Sequence, residues 1–481
     1  KFKFSKMIHK IKSYFLTLLI VGGLISCGDF LDVNEDPNNP QKVTEDLVLT
    51  AVLSNFSYEV LGGYPVRVTN TWMNQTFYGA AAPNYGTYDV DENDVNNTWR
   101  FYSYTDVMQN CKELEKMATE SGNLHYRSIA NIILAWNISI ITDMFGDAPF
   151  SEAFQAVDGV LKPVYDSQEQ IYEQIQLLLD QAIVDADAQS LNSPSSNDIV
   201  YGGNMGAWKR LAYTLKARYY LRLSNAPGKS EVEQAQLALN ALGKGMSSNA
   251  DAPSVKYFNS PDAENPWYQY ARDGKWNTWT RPHADYVALL YDLEDPRMDF
   301  QFNANASGVY AGSTSDVGTA DETISEIGDF YSAADAPLYW LVYAEVPFIK
   351  AEAELLKSGG VTTSVIEAYV EGIEASMDMY GISDIDEYLQ MNVLDNDPEK
   401  AYEQLMTQKY IANYLQLENY HDFRRTGYPQ LNVTPSSIMN EIPVRFPYPS
   451  TELLYNAENV AKTGIPNGIK ALGVPVWWDG N

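Results

Sequence analysis

Helical periodicity recurs along most of this chain, and no comparable series of alternating strand segments interrupts it. Apolar residues return at three- and four-residue spacing over 46–60, 103–119, 124–144, 167–187, 206–224, 230–246, 344–357, 363–379 and 399–419. Short strands are predicted only around 255–259 and 442–448. Such a chain must bury helix faces against helix faces, which makes the fold mainly α. By length, 481 residues is three domains' worth or one continuous repeat array. Hydrophobic residues make up 45% and charged residues 20%, a globular balance that excludes wholesale disorder.

Some of these helices come in pairs. One begins at Ala207-Trp208-Lys209-Arg210-Leu211-Ala212, and the turn Asn225-Ala226-Pro227-Gly228 leads into a second from 230. Segments 344–357 and 363–379 are joined by Ser358-Gly359-Gly360. Two helices and a turn in about 34–40 residues is the size of a tetratricopeptide-type unit. Such units cannot bury their faces singly, and stacking them gives one scaffold. Trp136 and Trp208 sit at helical spacing among apolar residues and are expected in its core. Long insertions read as non-helical interrupt the scaffold at 62–102, 188–205, 247–283 and 301–337. In repeat scaffolds, function usually sits on such insertions.

The N-terminus reads as an address. Lys10-Ile11-Lys12 is a basic n-region, and Tyr14 to Gly23 is an apolar stretch too short for a stop-transfer helix. Leu24-Ile25-Ser26-Cys27-Gly28 then resembles a bacterial lipobox, with Met7 as the expected start. Residues 1–26 are thus expected to be a lipoprotein signal peptide, with Cys27 acylated and 27–45 a tether. Thr44 is the expected N-cap of the first helix, and 46–481 the expected single domain. The longest later apolar stretch, 129–142, contains Asn131 and Asn137 and reads as a buried core helix.

Charge and cysteine count narrow the function. The formal charge is −30, from 33 basic and 63 acidic residues. Five lysines and no acid lie in the first 26 residues, so the rest carries −35. That surface repels phosphate backbones and anionic headgroups, so no nucleic-acid partner is expected and the membrane is met only through the lipid. With Cys27 acylated, Cys111 is the one remaining thiol, expected to be buried and structural.

Enzyme signatures are missing from the pattern. Past the signal segment only His125, His283 and His421 occur, far apart in sequence. No His-x-x-x-His or cysteine pair suggests zinc, and no Gly-x-Ser-x-Gly elbow or phosphate loop is present. A glycosidase needs only two suitably spaced carboxylates, which counting cannot exclude. The loop Asp89, Asp91, Asn93 echoes the alternate positions of a calcium hand. Asp94 replaces its glycine and Arg100 its final glutamate, which leaves an irregular structural calcium site as the alternative to a solvated acidic loop. No other cofactor is expected.

The binding candidates are aromatic. Sugars stack C–H faces on rings while Asn, Asp and Arg pair with hydroxyls, so a sugar site interleaves rings with planar polar groups. Two insertions have that composition. One holds Trp72, Asn74, Gln75, Tyr78, Tyr85, Tyr88, Trp99 and Arg100; the other Trp267, Tyr268, Tyr270, Arg272, Asp273, Trp276, Asn277 and Trp279. Each ring either packs in a loop-side core or binds ligand, and exposed tryptophans are costly unless they do one or the other. The expected ligand-binding set is Trp72, Asn74, Tyr78, Tyr85, Trp99, Arg100, Trp267, Tyr270, Arg272, Trp276 and Trp279.

Several segments together resemble the SusD/RagB nutrient-binding outer-membrane lipoproteins, in particular their second SusD-like branch. They are Cys27-Gly28-Asp29-Phe30-Leu31-Asp32-Val33-Asn34 with Asp36-Pro37-Asn38, then Asp143-Met144-Phe145-Gly146-Asp147-Ala148-Pro149-Phe150-Ser151-Glu152-Ala153, then Asp295-Pro296-Arg297 and Ala351-Glu352-Ala353-Glu354-Leu355-Leu356. Gln408-Lys409-Tyr410-Ile411 follows, with Tyr420-His421-Asp422-Phe423-Arg424-Arg425-Thr426-Gly427-Tyr428-Pro429, Arg445-Phe446-Pro447-Tyr448-Pro449 and Trp477-Trp478. The resemblance implies tetratricopeptide-like pairs backing a loop-rich ligand-facing half. It implies a TonB-dependent barrel of the SusC type as partner, glycan ligands or, in RagB-like members, oligopeptides, and no catalysis. Physically, Glu352, Glu354, Asp422, Arg424 and Arg425 read as scaffold charges. The chain is therefore expected to be an acylated, cell-surface outer-membrane protein that binds oligosaccharide and passes it to a barrel transporter. The alternatives are a peptide ligand, a structural or adhesive lipoprotein, and a secreted hydrolase.

Overall fold

The computed structural model describes residues 43–79, 85–273, 280–317 and 321–480. Cys27, Trp276 and Trp279 lie outside the described residues. Val48–Asn481 make one compact unit.

Ten helices carry the scaffold. They are α1 (Glu45–Asn55), α2 (Asn110–Ser121), α3 (Leu124–Phe145), α4 (Gln168–Asp187), α5 (Met205–Arg222), α6 (Glu231–Leu242), α7 (Glu345–Ser358), α8 (Thr363–Met379), α9 (Pro398–Ala412) and α10 (Glu418–Thr426). Their ends carry the expected local chemistry. Ser167 and Gln170 form a capping box at α4, Ser230 and Thr362 cap α6 and α8, and Asp397 precedes Pro398 at the start of α9. Gly359 closes α7 at φ 65°, a conformation that only glycine adopts without strain.

Packing follows chain order. α2 lies on α3, α3 on α4, α4 on α5, and α5 on α6; α7 then packs on α6, α8 and α9. The stack is thus continuous in space where residues 243–344 interrupt it in sequence. α3 is its axis. It is long and apolar enough to cross a membrane, but its apolar window is wholly enclosed by protein. Trp136 and Trp208 are buried in the core, as expected.

Cys111 on α2 is fully buried, and burial pushes its thiol well above the usual range. A thiol reagent is therefore expected to modify it only as fast as the protein unfolds, which mass spectrometry against denaturant concentration reads directly. Rapid labelling of Cys111 itself in the native protein would contradict the packing.

Three expectations need correction. The segment 399–419 is not one helix. It stops at Ala412, and Leu415 turns through φ 62° before α10 starts. The stretch 442–448 is not a strand; it runs as irregular chain, with Val444 N–H donating to Leu472 O (2.8 Å) and Phe446 N–H to Met144 O (2.7 Å). The insertion 62–102 is not wholly irregular: Tyr64–Trp72 is α-helical, and the π-helix Thr98–Gln109 begins inside it.

The strands are short and antiparallel. β1 (Thr76–Tyr78) pairs with β3 (Thr280–Pro282), β2 (Ser254–Val255) with β6 (Leu338–Tyr339), and β4 (Phe302–Asn303) with β5 (Glu326–Ile327). The register Tyr78 to Thr280 and Thr76 to Pro282 joins the two aromatic insertions. Sequence placed those insertions about 200 residues apart; the sheet makes them neighbours.

The family-like charged segments meet inside the stack. Asp143, Glu345, Glu352, Glu418 and Asp422 are buried together with Arg218, Arg222, Lys409, Arg424 and Arg425. Five carboxylates thus face five cations. Lys409 bonds Asp422 at 2.6 Å, Arg218 forks onto Glu345 at 2.6 and 2.7 Å, and Arg425 reaches Glu352 and Asp422. These residues are scaffold. Glu354 lies outside the network, beside Lys357 at 3.9 Å.

Candidate ligand-binding face

Most of the expected rings are structural. Trp72 is fully buried, donating its indole N–H to Tyr85 O (2.9 Å) with its ring edge-on to Tyr88, Tyr420 and Phe446. Trp99 is enclosed by Tyr104, Phe145, Tyr165 and Tyr448. Trp267 is buried in the helix Pro266–Ala271, which Asn265 caps. Asn74 is buried at φ 55° and spends its amide on Asn432 O and Asp285. Arg272 is committed to Asp329 (2.5 Å) and the Ile327 carbonyl. A ring enclosed on both faces cannot stack on a sugar, so Trp72, Trp99 and Trp267 are corrected to core.

The acidic loop's oxygens are engaged within the protein. Asp91 Oδ1 accepts the N–H groups of Asn93 and Asp94, and Asp94 Oδ2 accepts that of Asp91. Ser450 donates to Asn93 at 2.8 Å, and Gly468 N–H to Glu92 at 2.6 Å. The oxygens of this loop close its own turn and pin the C-terminal segment. Among the described residues no group of three or more His, Cys, Asp or Glu converges to hold a metal ion.

What the structure does assemble is a ring of tyrosines around Arg67. The guanidinium lies over the Tyr270 ring at 3.8 Å from its centroid, a cation–π geometry. Its positive charge acts on Tyr58, Tyr64, Tyr78, Tyr85, Tyr102, Tyr270 and Glu59. Tyr85 packs edge-on to Tyr64 at 5.2 Å and against Tyr78 at 5.1 Å. Tyr58 donates to Gln269, and its ring lies 6.5 Å from Tyr257.

The backbone explains this convergence. Phe56–Leu61 winds as a π-helix that presents Tyr58 and Glu59, and the helix Tyr64–Trp72 presents Tyr64 and Arg67 three residues apart on one face. Between them the chain reverses tightly. A Cβ at Gly63 would lie 1.8 Å from Glu59 O, and one at Gly62 2.4 Å from Pro266 Cγ. Those two glycines let the helix carrying Tyr270 come against the turn. β1 delivers Tyr78, and the second π-helix delivers Tyr102. π-Helical turns often mark functional sites.

The electrostatics are those of a half-dry platform. Burial pushes every one of these tyrosines above its usual range, Tyr85 to about 12, while Arg67 pulls them back. All therefore remain neutral phenols that donate and accept. Two groups are left wanting. Arg67 Nε and the Tyr64 hydroxyl are buried with no hydrogen-bond partner among the described residues. Unpaired buried atoms recur elsewhere in the chain, the Nε atoms of Arg210, Arg272, Arg281, Arg424 and Arg425 among them; what sets this pair apart is that both lie in one aromatic cluster. Tyr78, Tyr85 and Tyr270, all expected from sequence, fall here. Arg67, Tyr58, Tyr64 and Tyr102 were missed.

The comparisons place this fold. The SusD-like_2 family profile, described as starch-binding associating with outer membrane, matches residues 37–449. The chain belongs to this family. Its fold is shared with a SusD/RagB family protein of Bacteroides thetaiotaomicron VPI-5482, at 23% identity and a TM-score of 0.74 over 92% of this chain and 100% of that one. A SusD homolog of Bacteroides fragilis NCTC 9343 gives 22% and 0.76 over 91% and 100%. A chitin-binding SusD homolog of Flavobacterium johnsoniae gives 23% and 0.73 over 90% and 99%. No curated protein matches the sequence. Membership in the SusD-like family carries association with the outer membrane and with carbohydrate binding, and accounts for the stacked helical scaffold.

Proposed function

We propose that this SusD-like protein binds an oligosaccharide on the tyrosine ring around Arg67 and hands it to a SusC-type TonB-dependent barrel. The observation that carries the reading is the Arg67 guanidinium over the Tyr270 ring within a cluster of neutral phenols, with Arg67 Nε and the Tyr64 hydroxyl buried and without a hydrogen-bond partner among the described residues. Rings take the C–H faces of a sugar, and the guanidinium takes its hydroxyls. Starch-type glucans and chitin oligosaccharides are the first probes. The family description names starch, and the names of similar structures include chitin binding. The protein acts as a binder and not a catalyst. Residues 1–26 serve as a signal, and acylated Cys27 anchors it at the cell surface.

Calorimetry of the purified chain against plant, host and microbial glycans, with casein-type peptides alongside, tests this. A glycan is expected to bind with micromolar to millimolar affinity. Arg67→Ala is expected to weaken it about tenfold or more, the worth of a charge-assisted hydrogen bond. The pair Trp276→Ala and Trp279→Ala is expected to weaken it further, since these rings adjoin β3 in sequence. A peptide that binds while every glycan is silent moves the protein to the oligopeptide reading. Growth of a deletion strain separates import from adhesion, because loss of an adhesin slows growth on no single glycan.

A further inference from the structure

A cavity of about 420 Å³ opens beside the second π-helix, lined by Trp99, Arg100, Tyr104, Thr105, Glu452 and Tyr455. None of these belongs to the Arg67 group. We propose that it is a second carbohydrate subsite, one that takes a single neutral sugar ring. This rests on the glycan reading above.

The volume lies in the range of small-ligand pockets, and the walls are built. The buried Trp99 ring, held by four aromatic neighbours, backs the wall without offering an open face to a ligand. Tyr104 is pinned by donating its hydroxyl to Pro149 O (2.6 Å), and Thr105 by donating to Arg100 O (2.8 Å). Glu452 is oriented from behind. Tyr165 donates to its Oε2 at 2.8 Å and Asn456 at 3.3 Å, and Asn456 also donates to Pro163 O. Both bonds to the carboxylate fall on one oxygen, which leaves Oε1 for a ligand. Arg100 is exposed, its guanidinium 4.8 Å over the Phe101 ring.

The cavity lining thus combines a fixed acceptor, a cationic donor and the rings of Tyr104 and Tyr455. Neighbouring sugar hydroxyls match that pair, one donating to Glu452 and the other accepting from Arg100. Tyr455 stands at the edge, 68% exposed. Its open ring faces a solute as a stacking platform, and it is a side chain whose removal leaves the core untouched.

The test removes the first site and reads the second. In full-length Arg67→Ala protein, saturation-transfer NMR with glucose, N-acetylglucosamine and their disaccharides is expected to show weak residual binding. Adding Tyr455→Ala is expected to weaken it about three- to tenfold, and Glu452→Gln to weaken it further while keeping the acceptor for Tyr165. Residual sugar binding that ignores both changes overturns the subsite, as does no residual binding at all. Residual binding of zwitterionic dipeptides in place of sugars overturns its ligand class. Failure of the Arg67 face would look different. There Arg67→Ala would bind as the unmodified protein does, and Tyr455→Ala would still weaken binding.

Discussion

Replacing Arg222 by methionine is expected to cost about 3–5 kcal/mol of folding stability, a large share of the roughly 5–15 kcal/mol that holds a folded protein together. Arg222 lies between two buried carboxylates. One arm donates to Asp143, the other to Glu418 Oε1 at 2.5 Å, and its guanidinium sits 5.3 Å over the Trp478 ring. Asp143 also takes the Tyr172 hydroxyl and the Trp478 indole N–H, each at 2.6 Å. Methionine fills similar space but leaves both carboxylates short of a cation inside the stack. The five-against-five balance becomes one negative charge in excess. Urea unfolding at neutral pH measures the loss. The control is Lys229→Met, which breaks a partly exposed pair with Glu169 at 2.9 Å and is expected to change stability by less than about 1 kcal/mol. Equal effects at the two positions would show that burial does not set the cost.

That network explains why the family-like segments are recognisable and yet do not touch ligand. Asp143 lies on α3, Arg218 and Arg222 on α5, Glu345 and Glu352 on α7, Lys409 on α9, and Glu418, Asp422, Arg424 and Arg425 on α10. Apart from the Asp422–Arg425 pair within α10, the ion pairs of this network cross from one helix to another and form only when those helices stack in register. The ion pairs therefore act as a geometric lock more than a source of net stability, because desolvation offsets most of their attraction. The lock holds the scaffold rigid, so that the loop-side tyrosines are displayed in a fixed arrangement.

The scaffold was legible because helix burial writes a 3.6-residue period into sequence, and α3 to α8 appear close to where that period puts them. The π-helical segments Phe56–Leu61 and Thr98–Gln109 fall mostly within the predicted helices 46–60 and 103–119; only their wider hydrogen-bond step left no mark in the apolar period. The binding face was half legible. Composition marked the right insertions but not which rings face outward. Trp72, Trp99 and Trp267 join the same hydrophobic core as Trp136 and Trp208, so the largest rings of the insertions were drawn into the scaffold's interior. Arg67 was missed because 62–102 read as irregular chain. The available signal was Tyr64 and Arg67 three apart after Gly62-Gly63 and around Pro65, which marks a helix start with one polar-aromatic face. The β1–β3 pairing that joins the insertions had no sequence signal beyond a few β-prone residues.

His421 is expected to destabilise the protein as the pH falls below about 6.5. His421 is buried on α10, and Nδ1 accepts from Arg424 at 2.6 Å. Burial first, then the positive charges of Arg222, Arg424 and Arg218, hold the imidazole well below the usual histidine range. A proton on Nδ1 would also turn a second N–H toward Arg424. The unfolded chain has no such penalty and binds that proton near pH 6.5. The folded pKa is the lower one, so the unfolded state carries more protons as pH falls. Stability from the neutral ring is then complete above about pH 6.5 and declines below it by about 1.4 kcal/mol per pH unit. His283, which burial also lowers, adds a decline of the same sign. Burial raises Asp143 and Glu345, which acts in the opposite sense, so the measurement must isolate the histidine. His421→Gln does so, because its amide oxygen still accepts from Arg424 and does not titrate. Urea unfolding of both proteins from pH 7.5 to 5.0 should show the variant less stable at neutral pH. The gap should then close by about 1.4 kcal/mol per unit below pH 6.5. A gap that stays constant with pH would mean that His421 accepts a proton inside the fold as readily as outside it, with Asp143, 3.9 Å from Nε2, offsetting burial and the three arginines.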